Sequence, residues 1–144
     1  MFKKLLNPGN YNGTINFALL INRAVIGGCM LTHGLGKLTK LLGPDPVAFA
    51  DPFGIGMGPS LALAVFAEVV CSVLLIIGFF TRLATIPLLT TMAVAIFIIH
   101  AADEFGKKEM AVLYLLVYVT LLLAGAGKYS VDTLLYKKGK VSKK

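Results

Sequence analysis

Long apolar runs alternate with short polar segments along this chain. The runs lie at residues 15–31, 59–80, 83–99 and 110–127. Each is 17 to 22 residues long, which at a rise of about 1.5 Å per residue matches a hydrocarbon core of about 30 Å. None has the polar stripe that a helix needs to face water. The pattern predicts an all-α integral membrane four-helix bundle with helices at approximately 15–38, 59–80, 83–100 and 109–126.

Composition favours a membrane protein over a water-soluble one. Of the 144 residues, 57% are hydrophobic and 15% are charged, whereas soluble domains are about half apolar and about a quarter charged. A buried bundle in a soluble protein is the alternative, and the missing polar stripes argue against it. The first run begins late and contains Arg23, so we expect no cleavable signal peptide. A single transmembrane domain over residues 1–144 follows.

Positive charge is distributed unevenly between the segments that join the runs. The 14 Lys and Arg against 7 Asp and Glu give a net charge of +7, which in a soluble chain would suggest nucleic-acid binding. With both termini and Arg82 on one side, nine positive charges lie there and four on the other side, and Arg23 lies within the membrane. The positive-inside rule then places both termini in the cytoplasm. We expect residues 128–144 to be a basic cytoplasmic tail at anionic lipid headgroups, and no nucleic-acid partner.

The connecting segments differ in length and composition. The second and third runs are joined only by Thr81 and Arg82, which predicts a tight antiparallel pair with a cytoplasmic turn. The outer loop from 32 to 58 contains six glycines and three prolines, with apolar residues such as Phe49 and Phe53 between them. We expect this long Gly/Pro-rich loop to lie over the outer mouth of the bundle as a lid.

Two charged residues, Arg23 and Glu68, lie at membrane depth. An ionisable side chain in the hydrocarbon costs several kcal/mol and needs a partner. Helix rise places Arg23 about 12 Å from the inner face and Glu68 about 16 Å from it. We therefore predict a buried Arg23–Glu68 pair. Two interpretations stay open, because such a pair either fixes helix packing or lets Glu68 exchange protons and contact a ligand.

A second polar cluster is expected at the outer ends of the helices. His33 and His100 end their helices at about 27 Å and 26 Å from the inner face, so both imidazoles reach one level. Lys37 lies one turn above His33, and Asp103 follows His100 closely enough to orient its ring. These side chains could also simply extend to the interface.

Helix 4 adds two tyrosines to this cluster. Tyr114 and Tyr118 lie one above the other, and Tyr118 is close to Glu68 in estimated depth. They are either interfacial packing residues or the wall of a polar pocket that opens outward. Such a pocket suits an apolar ligand with hydrogen-bonding carbonyls, such as a quinone, whose protons acid and base groups could move.

Metal and thiol chemistry are the weaker hypotheses. His33 and His100 could ligate a haem, or hold a metal ion with Asp103 or Glu104, but no established ligand spacing supports either, and we expect neither group. The two cysteines lack Cys-x-x-Cys spacing, which excludes a disulfide framework and a zinc ribbon. Their estimated depths differ, so Cys29 and Cys71 should be unpaired, buried residues.

Several modest motifs, in this order, resemble the DoxX family of small bacterial membrane proteins. They are His33–Leu38, Ala67–Val69, Gly78–Leu83, His100 and Gly125–Asp132. The resemblance covers about residues 15–135 and implies a four-helix bundle in the bacterial inner membrane. It also implies a relation to the membrane subunit of a thiosulfate:quinone oxidoreductase. The family pattern carried over to this chain matches six residues: Arg23, His33, Lys37, Glu68, Arg82 and His100.

The resemblance and the polar groups together suggest a redox-associated protein that binds a quinone in the outer half of the bundle. Glu68, His33 and His100 would be the catalytic residues. The ligand-binding residues would be Arg23, Lys37, Tyr114 and Tyr118. Nothing resembles a flavin motif or a persulfide-forming cysteine loop, so a redox partner protein would contribute the remaining chemistry. The alternatives are a non-enzymatic membrane subunit and a small-solute or proton pathway, the latter as a homo-oligomer.

Overall fold

The computed structural model describes residues 6–141, and the described part is all helical, with no strand. Its helices are α1 Gly13–Leu42, α2 Met57–Ile77, α3 Thr81–Ile99, α4 Phe105–Ala124 and α5 Val131–Val141. Two of them contain wider, π-helical segments, Phe66–Cys71 in α2 and Ala95–Ile99 in α3. Lys3, Lys4, Lys143 and Lys144, which contribute to the predicted charge bias, lie outside the described residues.

The first four helices pack in sequence order around one core. Helix α1 contacts α2, α2 contacts α3, α3 contacts α4, and α4 closes the ring against α1. The core contains aliphatic residues from all four helices together with the rings of Tyr114 and Tyr118. We call the end with residues 43–56 and 100–104 the loop end, and the opposite end the terminal end.

The outward surface of the bundle is apolar. Large hydrophobic side chains such as Phe17, Phe97 and Leu123 are exposed there, and a water-soluble monomer rarely exposes so much contiguous apolar surface. Within the described residues, three helices are long and apolar enough to cross a membrane, namely α1, α2 and α3. Helix α4 has a comparable length and begins with three charged residues, Lys107, Lys108 and Glu109. Contact with a lipid bilayer explains this surface.

The helix ends differ from the predicted ones where glycine stops a helix inside an apolar run. Gly78 ends α2 with φ 71°, and Gly125 ends α4 with φ 85°, both values that favour glycine. Thr81 and Arg82 therefore begin α3, and the connection to α2 consists of residues 78–80. Helix α1 runs on to Leu42, which shortens the irregular loop to residues 43–56. The predicted tail contains a further helix, α5.

Residues 125–133 fold beneath the terminal end of the bundle. The Gly127 amide donates to the Pro8 carbonyl at 2.9 Å, and the Lys128 amide donates to the Asn16 side chain at 2.7 Å. The buried Asp132 carboxylate accepts from the Phe80 and Thr81 amides at 2.7 and 2.9 Å. It thereby satisfies amides at the start of α3 that have no partner within that helix.

Candidate functional site

Arg23 is fully buried, but its partners are main-chain carbonyls at the terminal end. One guanidinium nitrogen donates to the Leu75 and Ile76 carbonyls at 3.1 and 3.2 Å, and the other donates to the Tyr129 carbonyl at 2.6 Å. The last carbonyls of a helix have no partner within it and carry partial negative charge. Arg23 therefore caps α2. The predicted Arg23–Glu68 pair is wrong, and so is the placement of Arg23 in the ligand pocket.

The error comes from the relative heights of α1 and α2. A Cβ atom on Gly34 would lie 2.9 Å from the Glu68 Cβ atom, so Glu68 is level with Gly34, about 16 Å along α1 from Arg23. The depth estimate assumed that both helices start at a membrane face. Helix α2 instead ends level with Arg23, and residues 125–133 fill the space below it.

Glu68 pairs with Lys37. The Lys37 ammonium contacts Oε1 of Glu68, and the Glu68 side chain is 2% exposed whereas that of Lys37 is 31% exposed. Oε2 of Glu68 is buried and has no hydrogen-bond partner among the described residues. A buried carboxylate oxygen without a partner is costly. Oε2 is therefore a free acceptor for a hydrogen bond from a ligand or from water.

A cavity of about 530 Å³ adjoins this pair between α2 and α3. Its volume lies within the range of about 300–1,000 Å³ that is usual for small-molecule sites. The walls are mostly apolar, and Leu63, Phe66 and Ile86 line the cavity while they are exposed on the lipid-facing surface. Phe49 and Phe53 of the 43–56 segment also line it. The first cavity thus opens sideways toward lipid, beneath a lid that was predicted from the loop composition.

A second cavity, of about 280 Å³, lies on the other side of the pair. Lys37, Glu68 and His100 line both cavities. His33 and Tyr114 line the second cavity and not the first. Their rings pack edge to face, with 6.1 Å between the centroids. The predicted convergence of the two histidines with Lys37 is therefore present in the structure.

Of the two predicted tyrosines, Tyr114 lines the second cavity, whereas Tyr118 lines neither cavity. The ring centroids of Tyr114 and Tyr118 are 6.0 Å apart, and both rings are buried. The Tyr118 hydroxyl has no hydrogen-bond partner among the described residues, and it is close enough to Glu68 to interact electrostatically. The Tyr118 hydroxyl is therefore a second buried polar group without a hydrogen-bond partner among the described residues.

His100 and Asp103 form a pair at the loop end. Nδ1 of His100 lies 2.7 Å from Oδ2 of Asp103, and the two side chains are 38% and 35% exposed. The hydrogen bond from His100, together with the nearby Lys107 ammonium, holds the pKa of Asp103 below its ordinary value. Asp103 is therefore ionised at neutral pH and fixes the orientation of the imidazole ring.

The described residues contain no group of three His, Cys, Asp or Glu side chains arranged to hold a metal ion. Both cysteines are free thiols, as predicted. Cys71 is buried in the core, but Cys29 is exposed, which corrects the expectation that both are buried.

The lid is fastened by Asp51, a residue that the sequence did not mark as important. Its carboxylate accepts from the Ile55 and Gly56 amides at 3.0 and 2.8 Å and from the Ser60 hydroxyl at 2.7 Å. Lys40 donates to the Ala48 carbonyl on the other side of the lid. The only signal in the sequence was an acidic residue four positions before a Gly-rich turn, which is common in loops.

Protonation of Asp51 is expected to loosen the lid. The hydrogen bond from Ser60, followed by that from Gly56, lowers the pKa of Asp51, so its stabilising effect is complete above the unfolded pKa of about 3.9. The effect is lost as pH falls through the lower folded pKa. Amide hydrogen exchange at residues 54–56, corrected for intrinsic rates, should accelerate in that acid range.

Asp51→Asn should show faster exchange of the same amides already at neutral pH. Asp45→Asn is the matched control, because Asp45 is an exposed carboxylate of the same segment. Equal protection of these amides in Asp51→Asn and the wild type would contradict the role of Asp51.

Comparison with known proteins agrees with the membrane fold. A sequence model of the DoxX family matches residues 18–101, from α1 through α3. A protein of Haemophilus influenzae that is named only as uncharacterized is 31% identical over 129 residues, covering 85% of this chain and 93% of that protein. No solved structure matches the chain. The family match includes Lys37, Glu68 and His100.

Proposed function

This chain belongs to the DoxX family, and from that premise we propose that it is a redox-associated membrane component. In this role it binds a quinone, or a similar apolar carbonyl compound, in the loop-end half of the bundle. The observation that carries the proposal is the free Oε2 atom of Glu68. It lies beside Lys37, in a pair that lines both the lipid-facing cavity and the second cavity.

The residues around the pair fit such a ligand. The first cavity accommodates an apolar body that enters from lipid, between Leu63 of α2 and Ile86 of α3. Lys37 can donate to a carbonyl oxygen, since an ammonium has three donors and the side chain is still 31% exposed beside Glu68. His100 faces the same cavity and offers a second donor or acceptor. Tyr114 lines the second cavity, on the other side of the pair, and Tyr118 packs against Tyr114 in the core.

A bound quinone supplies reversible two-electron, two-proton chemistry, with electrons exchanged through a redox partner protein. The protein's own contribution is to hold the head group and exclude water from the first cavity. Glu68 and His100 hold and move protons beside it, with His33 as a further proton-binding group at the second cavity. In this role the chain is a subunit of a quinone-linked oxidoreductase.

The proposed setting is the bacterial inner membrane, with α4 as a fourth span. Its apolar part begins after the charged first turns, and its length of 20 residues matches the other spans. The bias of nine positive charges against four puts the terminal end in the cytoplasm. The loop end, and both cavities, then lie in the outer half of the membrane.

A non-enzymatic subunit or assembly partner is the second candidate. The observation in its favour is that Arg23, a fully buried charge, donates to main-chain carbonyls and lines neither of the two cavities. If the Lys37–Glu68 pair has the same purpose, the buried charges only fix helix packing.

Quinone binding separates the two candidates. The wild-type protein, purified in a mild detergent, should contain quinone in its organic extract, and added decylubiquinone should raise its melting temperature. Glu68→Gln removes the charged acceptor and should weaken decylubiquinone binding at least tenfold, by about 1.4 kcal/mol or more. Glu109→Gln is the matched control, because Glu109 is an exposed carboxylate of α4 outside both cavities.

Lys37→Met alone would leave Glu68 buried without its cation. The double variant Lys37→Met with Glu68→Leu avoids this, so it should fold and fail to bind decylubiquinone. A quinone-free extract together with no thermal stabilisation by ubiquinone or menaquinone analogues would favour the non-enzymatic subunit.

A further inference from the structure

The second cavity reaches both solvent and Glu68. Its rim includes the exposed side chains of His33, Lys107 and Met110, so water can enter at the loop end. Its inner end is the Lys37–Glu68 pair. A volume of about 280 Å³ has room for several water molecules, each of which takes up about 30 Å³ in the liquid. Polar side chains in its lining, among them Lys37, Glu68 and His100, give those waters partners.

Glu68 faces titratable or charged groups from three neighbouring helices. From α1 these are Lys37, which pairs with it, and His33. From α3 the group is His100. From α4 they are Lys107, Tyr114 and Tyr118. The residues that the 43–56 segment contributes to the first cavity are Phe49, Ala50, Pro52 and Phe53, which do not titrate.

His100 lies between the solvent and the interior. Its Nδ1 atom is held by Asp103, whose carboxylate is partly exposed. The ring also lines the cavity that contains Glu68. In the neutral ring, Nδ1–H donates to Asp103 and Nε2 is free to accept a proton. The protonated ring keeps its contact with the Asp103 carboxylate through Nδ1.

We propose that Glu68 exchanges its proton with the solvent at the loop end, through the second cavity, with His100 as the relay and Asp103 as its positioning residue. A proton from solvent binds Nε2 of His100, which forms an imidazolium ion. The same nitrogen releases it to cavity water, and Oε2 of Glu68 accepts it. One proton leaves the solvent and one is gained by the carboxylate, and no electron moves.

The purpose of this route rests on the proposed function: protons for the bound ligand come from the loop end of the bundle. The exchange itself needs no quinone. A test without quinone therefore separates the two, because proton exchange is measured with no ligand present and stays testable if the protein binds no quinone.

Time-resolved infrared spectroscopy of the full chain in detergent tests the route. Protons released by light from a caged compound should protonate Glu68, and the carboxyl band of Glu68 is assigned by its absence in Glu68→Gln. In His100→Ala the band should rise at least tenfold more slowly, and added imidazole should restore the rate. Glu109→Gln should protonate like the wild type.

Asp103→Asn is the second variant, which keeps the test usable if His100→Ala does not fold. It leaves the imidazole in place without its carboxylate partner, so the band should rise more slowly than in the wild type. An unchanged rate in His100→Ala, or a slow rate that imidazole does not restore, would overturn the relay. Absence of the Glu68 carboxyl band at every pH at which the protein is folded would overturn proton exchange altogether.

Discussion

Arg23→Leu is expected to lower the free energy of unfolding by about 3 kcal/mol or more, because each buried carbonyl that loses its donor costs about 1–3 kcal/mol. The substitution leaves the Leu75, Ile76 and Tyr129 carbonyls without their donor. It also removes the positive charge that interacts with the buried Asp132. Because Arg23 and Asp132 cap the two helix ends on either side of residues 78–80, both α2 and α3 lose support.

Unfolding in mixed micelles, followed by loss of helical circular dichroism as dodecyl sulfate is added, measures this effect. Arg23→Lys keeps the positive charge but loses the planar guanidinium group. Its free energy of unfolding should therefore lie between those of Arg23→Leu and the wild type. Lys128→Ala is the matched control, because that side chain is exposed at the same end and its hydrogen bond uses the backbone amide. A change below about 1 kcal/mol in Arg23→Leu, the level of an exposed pair, would contradict the capping role.

Gly34→Val is expected to destabilise the protein by about 3 kcal/mol, the upper part of the usual range for overpacking. A Cβ atom at residue 34 would lie 2.8 Å from the main-chain carbonyl carbon of Glu68. A backbone neighbour cannot rotate away as a side chain can, so α1 and α2 must separate at this level. The same separation moves Glu68 from Lys37, and decylubiquinone binding should fall with stability.

Gly36 provides the control for this substitution. It lies half a turn further along α1, and a Cβ atom there would meet nothing within 4 Å. The free energy of unfolding of Gly36→Val should therefore stay within about 0.5 kcal/mol of the wild-type value, as is usual for surface substitutions. The same dodecyl sulfate titration compares the two variants. Equal stability of Gly34→Val and Gly36→Val would show that the two helices are not in close contact beside Glu68.

Hydropathy was sufficient to predict helices α1 to α4, because the length of an apolar run is set by the thickness of the membrane. It could not predict where each helix ends. Gly78 and Gly125 stop α2 and α4 inside apolar sequence, and hydropathy is blind to the backbone conformation that glycine permits. Helix α5 lies in a segment that was predicted only as a charged tail.

The polar cluster was predictable in part. Counting residues along two parallel helices brought His33 and His100 to one level, and both line the second cavity. The count failed for antiparallel α1 and α2, because their relative height depends on the close approach of Gly34 to Glu68. It also depends on how residues 125–133 fold beneath α2, and no local pattern encodes that packing. Lys37 therefore takes the place that was assigned to Arg23.

The π-helical segments of α2 and α3 lie at the first cavity, where the wider backbone turns help to form its walls. Each wide turn accommodates one more residue than an α-helical turn. Phe66–Cys71 and Ala95–Ile99 supply lining residues from facing helices, including Phe66 and Ala95. Side chains around such a void can therefore vary during evolution without closing it. Deletion of one residue from either segment should remove the wide turn, leave the residues beyond it in their register, and narrow the first cavity from the backbone.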